Sequence, residues 1–163
     1  MTTIAPARTS LSPKRLYRIV SIAEAITWTL LIIGMVAKYA FDFEALIFPF
    51  GLTHGVAFVA YGATALIVGL NQRWRAGQVA GAVALAVVPF ATIPFDRSLE
   101  RRAMLEGGWR TEVTDDPRDH SAIDRLLRWG LRNPLLLAAI VVIAVAAIVS
   151  VLLMLGPPTE WGR

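Results

Sequence analysis

A chain of 163 residues that is 56% hydrophobic, with a mean hydropathy of +0.58 and only 17% charged residues, falls well below the roughly 25% charge of a soluble domain. That composition excludes a disordered chain and argues against a water-soluble globule, because one small domain cannot hide so much apolar side chain. The net charge of +4 would point to nucleic acid in a soluble domain, but against this background it points to a membrane and to no nucleic-acid partner.

The apolar stretches predict an all-α membrane protein with four transmembrane helices, at about 17–39, 46–71, 76–95 and 134–156, and a charged loop 96–133. The corresponding division is a cytoplasmic N-terminal segment 1–16, a three-helix membrane core 17–102, a charged extramembrane loop 103–133 and a C-terminal helix with a short tail, 134–163. Ser12 and Pro13 are a cap and first-turn residue for the first helix. Its apolar run from Ile19 to Ala37 holds one charge, Glu24. The run is too long for a signal peptide and ends at Lys38-Tyr39 without a small-residue cleavage site. The second run, Ala45 to Leu70, has His54 as its one ionisable group, and the third, Ala76 to Phe95, is interrupted at Pro89 and Pro94.

The loop carries eight arginines and eight acids. Within it Ile123, Leu126, Leu127 and Leu131, with Trp129 beside them, predict an amphipathic helix over 121–132, either lying in the membrane interface or running on into the last span. That span, Pro134 to Leu155, opens after Asn133 and stops at Gly156-Pro157-Pro158.

Orientation rests on Lys and Arg near the spans. With the N-terminus inside and four spans, seven basic residues lie inside (Arg8, Lys14, Arg15, Arg18, Arg73, Arg75, Arg163) and nine outside. If the proline-broken third segment is re-entrant, the count becomes fourteen inside against two outside. Twenty residues are short for a hairpin whose backbone must be satisfied by protein, so four spans with a cytoplasmic N-terminus is the expectation.

A charge within a span costs roughly 2.5–3.5 kcal/mol, which singles out Glu24 and His54. Counting from Lys38 and Ile47 at about 1.5 Å per residue puts Glu24 level with Tyr61, about 21 Å from the first hairpin turn. A Glu24–Tyr61 hydrogen bond is expected, with His54 one or two turns above, Thr27 and Trp28 flanking Glu24, and Arg73 or Arg75 within reach of the carboxylate. The cluster is either an interhelix polar clasp, the favoured reading, or a proton or ligand relay. Gly51, Gly55, Gly62, Gly77 and Gly81 are the expected helix-packing positions, and Lys38, Tyr39, Arg73, Trp74 and Arg75 the expected lipid or interface anchors. Asp115, Asp116, Asp119 and His120 read as a solvated loop without metal-ligand spacing. No HExxH, Walker sequence, GxSxG or cysteine is present, so neither enzyme activity nor a cofactor or metal is expected.

The phrase RLYRxxxxxEAxTWxLLxxGMxxKY from Arg15 to Tyr39 is followed by GxxHGxxFxxY from Gly51 to Tyr61, by Asn-Gln-Arg-Trp at 71–74 and by Val-Val-Pro-Phe-Ala-Thr-Ile-Pro-Phe-Asp-Arg at 87–97. Together these resemble a family of small bacterial integral membrane proteins of unknown function, the YdzA-like proteins, common in actinobacteria. The resemblance covers about residues 14–102. It implies a three-helix membrane core whose characteristic residues fall at Glu24, Lys38, Tyr39, Gly51, His54, Gly55, Phe58, Tyr61, Pro89, Asp96 and Arg97, and it carries no activity. The charged loop and fourth helix are additions to that plan.

The resulting expectation is a multi-pass protein of the bacterial inner membrane. It would serve as a non-catalytic accessory or assembly subunit of a larger respiratory or cell-envelope complex, with lipids and other membrane subunits as partners. The alternative is a small proton-coupled or lipid/small-molecule transporter, acting as an oligomer through Glu24, His54 and Tyr61.

Overall fold

A computed structural model describes residues 11–156; the remaining residues of the predicted terminal segments, Arg8 and Pro157-Pro158 among them, lie outside that range. All regular structure among the described residues is helical.

Helix α1, Pro13–Phe41, starts where the Ser12 hydroxyl accepts the Arg15 amide at 3.3 Å and ends at Asp42, whose left-handed φ of 53° turns the chain. A 3₁₀ turn at Glu44–Leu46 leads into α2, Ile47–Asn71, which runs back along α1. The two pack tightly where α2 begins: a Cβ on Gly34 would lie 3.3 Å from the Leu46 carbonyl oxygen and from the Phe50 ring. Helix α1 continues about two turns beyond that contact, and Lys38 pairs with Glu44 across the turn at 3.0 Å.

Helix α2 closes with Arg73 at φ 56° and the Trp74 amide bonded to the Gly69 carbonyl at 2.8 Å, a left-handed cap. Gly69 is required by space. An added Cβ would stand 2.8 Å from Val79 and 3.0 Å from the Trp74 ring. The predicted packing glycines behave differently: a Cβ on Gly55 or Gly77 would meet nothing within 4 Å, while on Gly51, Gly62 and Gly81 it would meet Leu31, Val83 and Phe95 only at ordinary contact, 3.9 Å. The GxxxG pairs are therefore not close-approach seams, and the tight glycines among the described residues are Gly34, Gly69 and Gly130. Gly69→Ala is expected to destabilise by about 1–3 kcal/mol through overpacking, whereas Gly55→Ala is neutral or stabilising by up to about 1 kcal/mol through helix propensity. Unfolding of each variant in detergent, followed by tryptophan fluorescence, checks the contrast.

The predicted third span is not one helix. Helix α3, Ala76–Leu85, has ten residues, about 15 Å of rise and half of a bilayer core. The chain then turns through 86–91, where Pro89 lacks an amide donor and Phe90 sits at φ 62°. Helix α4, Thr92–Arg101, follows, with Pro94 tolerated in its first turn. Both ends of this hairpin meet: Trp74 Nε1 donates to the Met104 carbonyl at 2.9 Å and Gln78 Nε2 to the Met104 sulfur at 3.3 Å. The exit is also tied to the start of α1, by the Lys14–Glu106 ion pair at 2.5 Å, the Arg18–Glu100 pair, and Trp109 Nε1 donating to the Leu11 carbonyl at 2.7 Å. The α3–α4 segment thus enters and leaves at the end of the bundle shared by the N-terminus of α1 and the C-terminus of α2.

Helix α5, Ala122–Arg132, and helix α6, Pro134–Leu155, are separate elements, broken at Asn133 (φ −120°, ψ 67°). Helix α5 presents Ile123, Leu126 and Trp129 outward, as an interface-lying helix requires. Helix α6 packs on α2, and none of its residues is buried among the described residues. Within the same range three helices are long and apolar enough to cross a membrane: α1, α2 with its 3₁₀ turn, and α6. The core gathers where α1, α2 and the α3–α4 hairpin meet, around Tyr17, Tyr61, Val68, Trp74 and Leu99.

Candidate functional site

Polar residues recur on the buried face of α1 at Tyr17, Ser21, Glu24 and Thr27, and on that of α2 at His54, Tyr61, Thr64 and Asn71. These are helical spacings that put each set on one stripe. The hairpin faces these stripes with Thr92 and Asp96, and the result is two carboxylate clusters.

In the first cluster the Tyr17 hydroxyl lies 2.7 Å from the Tyr61 hydroxyl and donates to Asp96 Oδ1 at 2.8 Å. Ser21 donates to the other oxygen of Asp96. The Tyr61 hydroxyl also lies 3.5 Å from Asp96 Oδ1, so both tyrosine hydroxyls and Asp96 form one hydrogen-bonded cluster. Tyr17 and Tyr61 are 1% and 0% exposed, while Asp96 is half-buried. Trp74 packs edge-on against Tyr17 with ring centroids 5.7 Å apart. It is a core residue rather than the predicted interface anchor.

In the second cluster Glu24, fully buried, accepts from Thr92 Oγ1 at 3.0 Å through Oε2, while Oε1 has no hydrogen-bond partner among the described residues. One turn along α1, Thr27 Oγ1 bonds the Glu24 carbonyl at 2.9 Å and lies 3.2 Å from His54 Nδ1. The His54 ring packs against Trp28 with centroids 4.2 Å apart and the planes tilted by 49°, and Trp28 Nε1 donates to the Ala86 carbonyl at the hairpin bend.

The expected Glu24–Tyr61 bond is absent among the described residues. Helix α2 begins beside Gly34 and not beside Lys38, which shifts the register by one to two turns and sets His54 against Thr27 and Tyr61 against Tyr17. Nor does Arg73 or Arg75 reach Glu24. The Arg73 guanidinium pairs with Asp119 and Asp116, and the Arg75 amide donates to Gln78 Oε1 at the start of α3. Lys38 and Tyr39 do lie at the far end of the hairpin, with the Tyr39 ring 78% exposed. Sequence reasoning missed Tyr17, Ser21 and Thr92, and met Asp96 only as part of a resemblance. The spacing 17, 21, 24 and 27 was the available signal.

The charged loop is locked to the end of α2. Arg110 donates to the carbonyls of Leu70 and Asn71 at 2.8 and 2.6 Å, satisfying acceptors that a helix end leaves free. Asn71 returns two bonds, to the Gly108 carbonyl and from the Arg110 amide. Arg73 and Arg110 converge on Asp119 at 2.5 and 3.1 Å, with Arg128 next to them.

The Thr114 hydroxyl and amide on Asp119, and after them Arg73 and Arg128, hold its carboxyl below the ordinary range, and Arg118 does the same for Asp116. A lowered folded pKa gives stability that is complete above the unfolded value of about 3.9 and lost as pH falls through the folded one. The loop should therefore stay protected from amide exchange down to about pH 4 and open progressively below it. Asp119→Asn should open it already at pH 7.

The profile of a family described as a domain of unknown function, DUF3817, matches residues 14–101. A Streptomyces coelicolor protein named "Putative membrane protein SCO5905" is 37% identical over 111 residues, covering 67% of this chain. Those residues make up only 12% of that relative, so the chain spans about an eighth of the length of the protein it matches. No solved structure matches.

Proposed function

From the premise that the chain belongs to the DUF3817 family of membrane proteins, we propose that it is a non-catalytic accessory or assembly module of a larger membrane complex in the bacterial inner membrane. The observation that carries this reading is the length of the Streptomyces relative: there the same unit forms about an eighth of a single, much longer polypeptide. A unit that is covalently part of a much longer polypeptide is suited to work beside other membrane segments. Helix α6, none of whose residues is buried among the described residues, supports the reading by leaving a span free for lipid or a neighbour.

The proposed topology has three spans, with α3–α4 as a re-entrant hairpin packed on α1 and α2. One face of the hairpin is buried, at Ala82, Ala86, Thr92 and Leu99, while Val87, Val88 and Phe90 at its bend are exposed. In this topology the start of α1 and the charged loop share the cytoplasmic side, which gathers thirteen of the described basic residues there against Lys38 on the other.

Purification from native membranes in mild detergent, with mass spectrometry of what accompanies the chain, tests the proposal. A stoichiometric membrane partner is the expected result, and recovery alone at monomer or small homo-oligomer mass would overturn it. The unbonded oxygen of buried Glu24 favours a second reading, a proton-coupled carrier. Under that reading Glu24→Gln and His54→Ala abolish function at normal abundance, while under the first they lower abundance only.

A further inference from the structure

We propose that the cleft between α1 and the α3–α4 hairpin binds an anionic phospholipid from the leaflet on the side of the charged loop. The cleft has a volume of about 540 Å³, within the roughly 300–1,000 Å³ of small-molecule sites. Its walls are Ile22 and Ile26 of α1 and Phe90 and Ile93 of the hairpin, all between 38% and 55% exposed. Within a membrane that surface is covered by an acyl chain. From Arg18 to Ile26 the α1 wall is about 12 Å long, enough for the upper part of one chain.

The mouth of the cleft is charged, and its charges are unequal. Arg18 is paired with Glu100. Asp96, on the inner wall, is turned to Tyr17 and Ser21. Arg97 also lines the cleft, is exposed, and makes no ion pair or side-chain hydrogen bond among the described residues. It lies one turn of α4 deeper than Glu100, where an uncompensated charge is costly. A guanidinium in that position matches a phosphate through paired N–H groups. The polarity also fits one class of molecule, with the anionic head at the loop end and the tail directed along α1 toward the bundle middle. A free phosphate would satisfy Arg97 and leave the four apolar walls uncovered.

The full-length protein in mild detergent, titrated with phosphatidylglycerol and with phosphatidylcholine of the same chains and read by native mass spectrometry, tests the site. Phosphatidylglycerol should bind at least about ten-fold more tightly, and Arg97→Gln should remove about that factor while leaving phosphatidylcholine unchanged. Ile26→Trp, which fills the cleft, should weaken both lipids. Because the Arg97 side chain has no partner among the described residues, its replacement leaves folding intact, and an unchanged melting temperature verifies this. Equal phosphatidylglycerol binding by the wild type and Arg97→Gln would overturn the proposal. So would displacement of the lipid by millimolar inorganic phosphate, which would mark a free-anion site.

Discussion

A cysteine introduced at Gly108 is expected to react with a membrane-impermeant thiol reagent from the same side as one at Arg75, and from the opposite side to one at Glu44. The chain has no cysteine of its own, so each single substitution is an unambiguous reporter. Gly108 accepts a side chain, since a Cβ added there would meet nothing within 4 Å. The expected effect is all or none, because the alternative is a full bilayer thickness away. Two contacts carry it: Trp74, just before α3, bonds Met104, just after α4, and Lys14 at the start of α1 pairs with Glu106. Both contacts bring the two ends of α3–α4 to one end of the bundle. Reaction of the cysteine at 108 from the side of Glu44 would restore four spans.

Most of the fold was legible because long apolar helices announce themselves. Ser12-Pro13, Asn133-Pro134 and the uninterrupted apolar run after it placed helix ends to within a few residues. The third segment was harder. Its two prolines signal a break, but whether a broken segment crosses or returns depends on contacts far apart in sequence, such as Gln78 with Met104. Composition near the spans pointed to the return through the fourteen-to-two distribution of basic residues, and the shortness of the segment argued against it. What holds the short hairpin is one packed face: Ala82, Ala86, Thr92 and Leu99 are buried, with α3 against α2 and α4 against α1.

The site was legible in its residue types and not in its pairings. Glu24 and His54 stood out as ionisable groups in apolar runs, and both are buried. Their partners depended on a register that one assumption about the turn displaced. Counting from Lys38 ignored that α1 overshoots the start of α2 by about two turns, with Gly34 as the true point of closest approach. Asp96 stands at the boundary between the apolar segment and the loop and stood out only through the family resemblance. The return of the hairpin is what carries it into the core.

Asp96→Ala is expected to destabilise the protein by about 2 kcal/mol, with Asp96→Asn costing less. The alanine variant leaves the buried Tyr17 and Ser21 hydroxyls without their acceptor. Leaving a buried polar group unsatisfied costs about 1–3 kcal/mol, while side-chain hydrogen bonds in membrane proteins average about 0.6 kcal/mol because the unfolded chain also finds partners. Asparagine keeps one acceptor oxygen for Tyr17. Tyr17→Phe removes one of the two tyrosine hydroxyls of the cluster and should fall between the two. Unfolding in mixed micelles gives the ranking, and its comparison with the amount of complex recovered from membranes carries the functional meaning. If the cluster is a clasp that docks the hairpin onto α1 and α2, recovery follows stability through the whole series. If it moves a proton, Asp96→Asn fails as completely as Asp96→Ala despite its smaller loss of stability, since an amide cannot exchange a proton in the place of a carboxyl group.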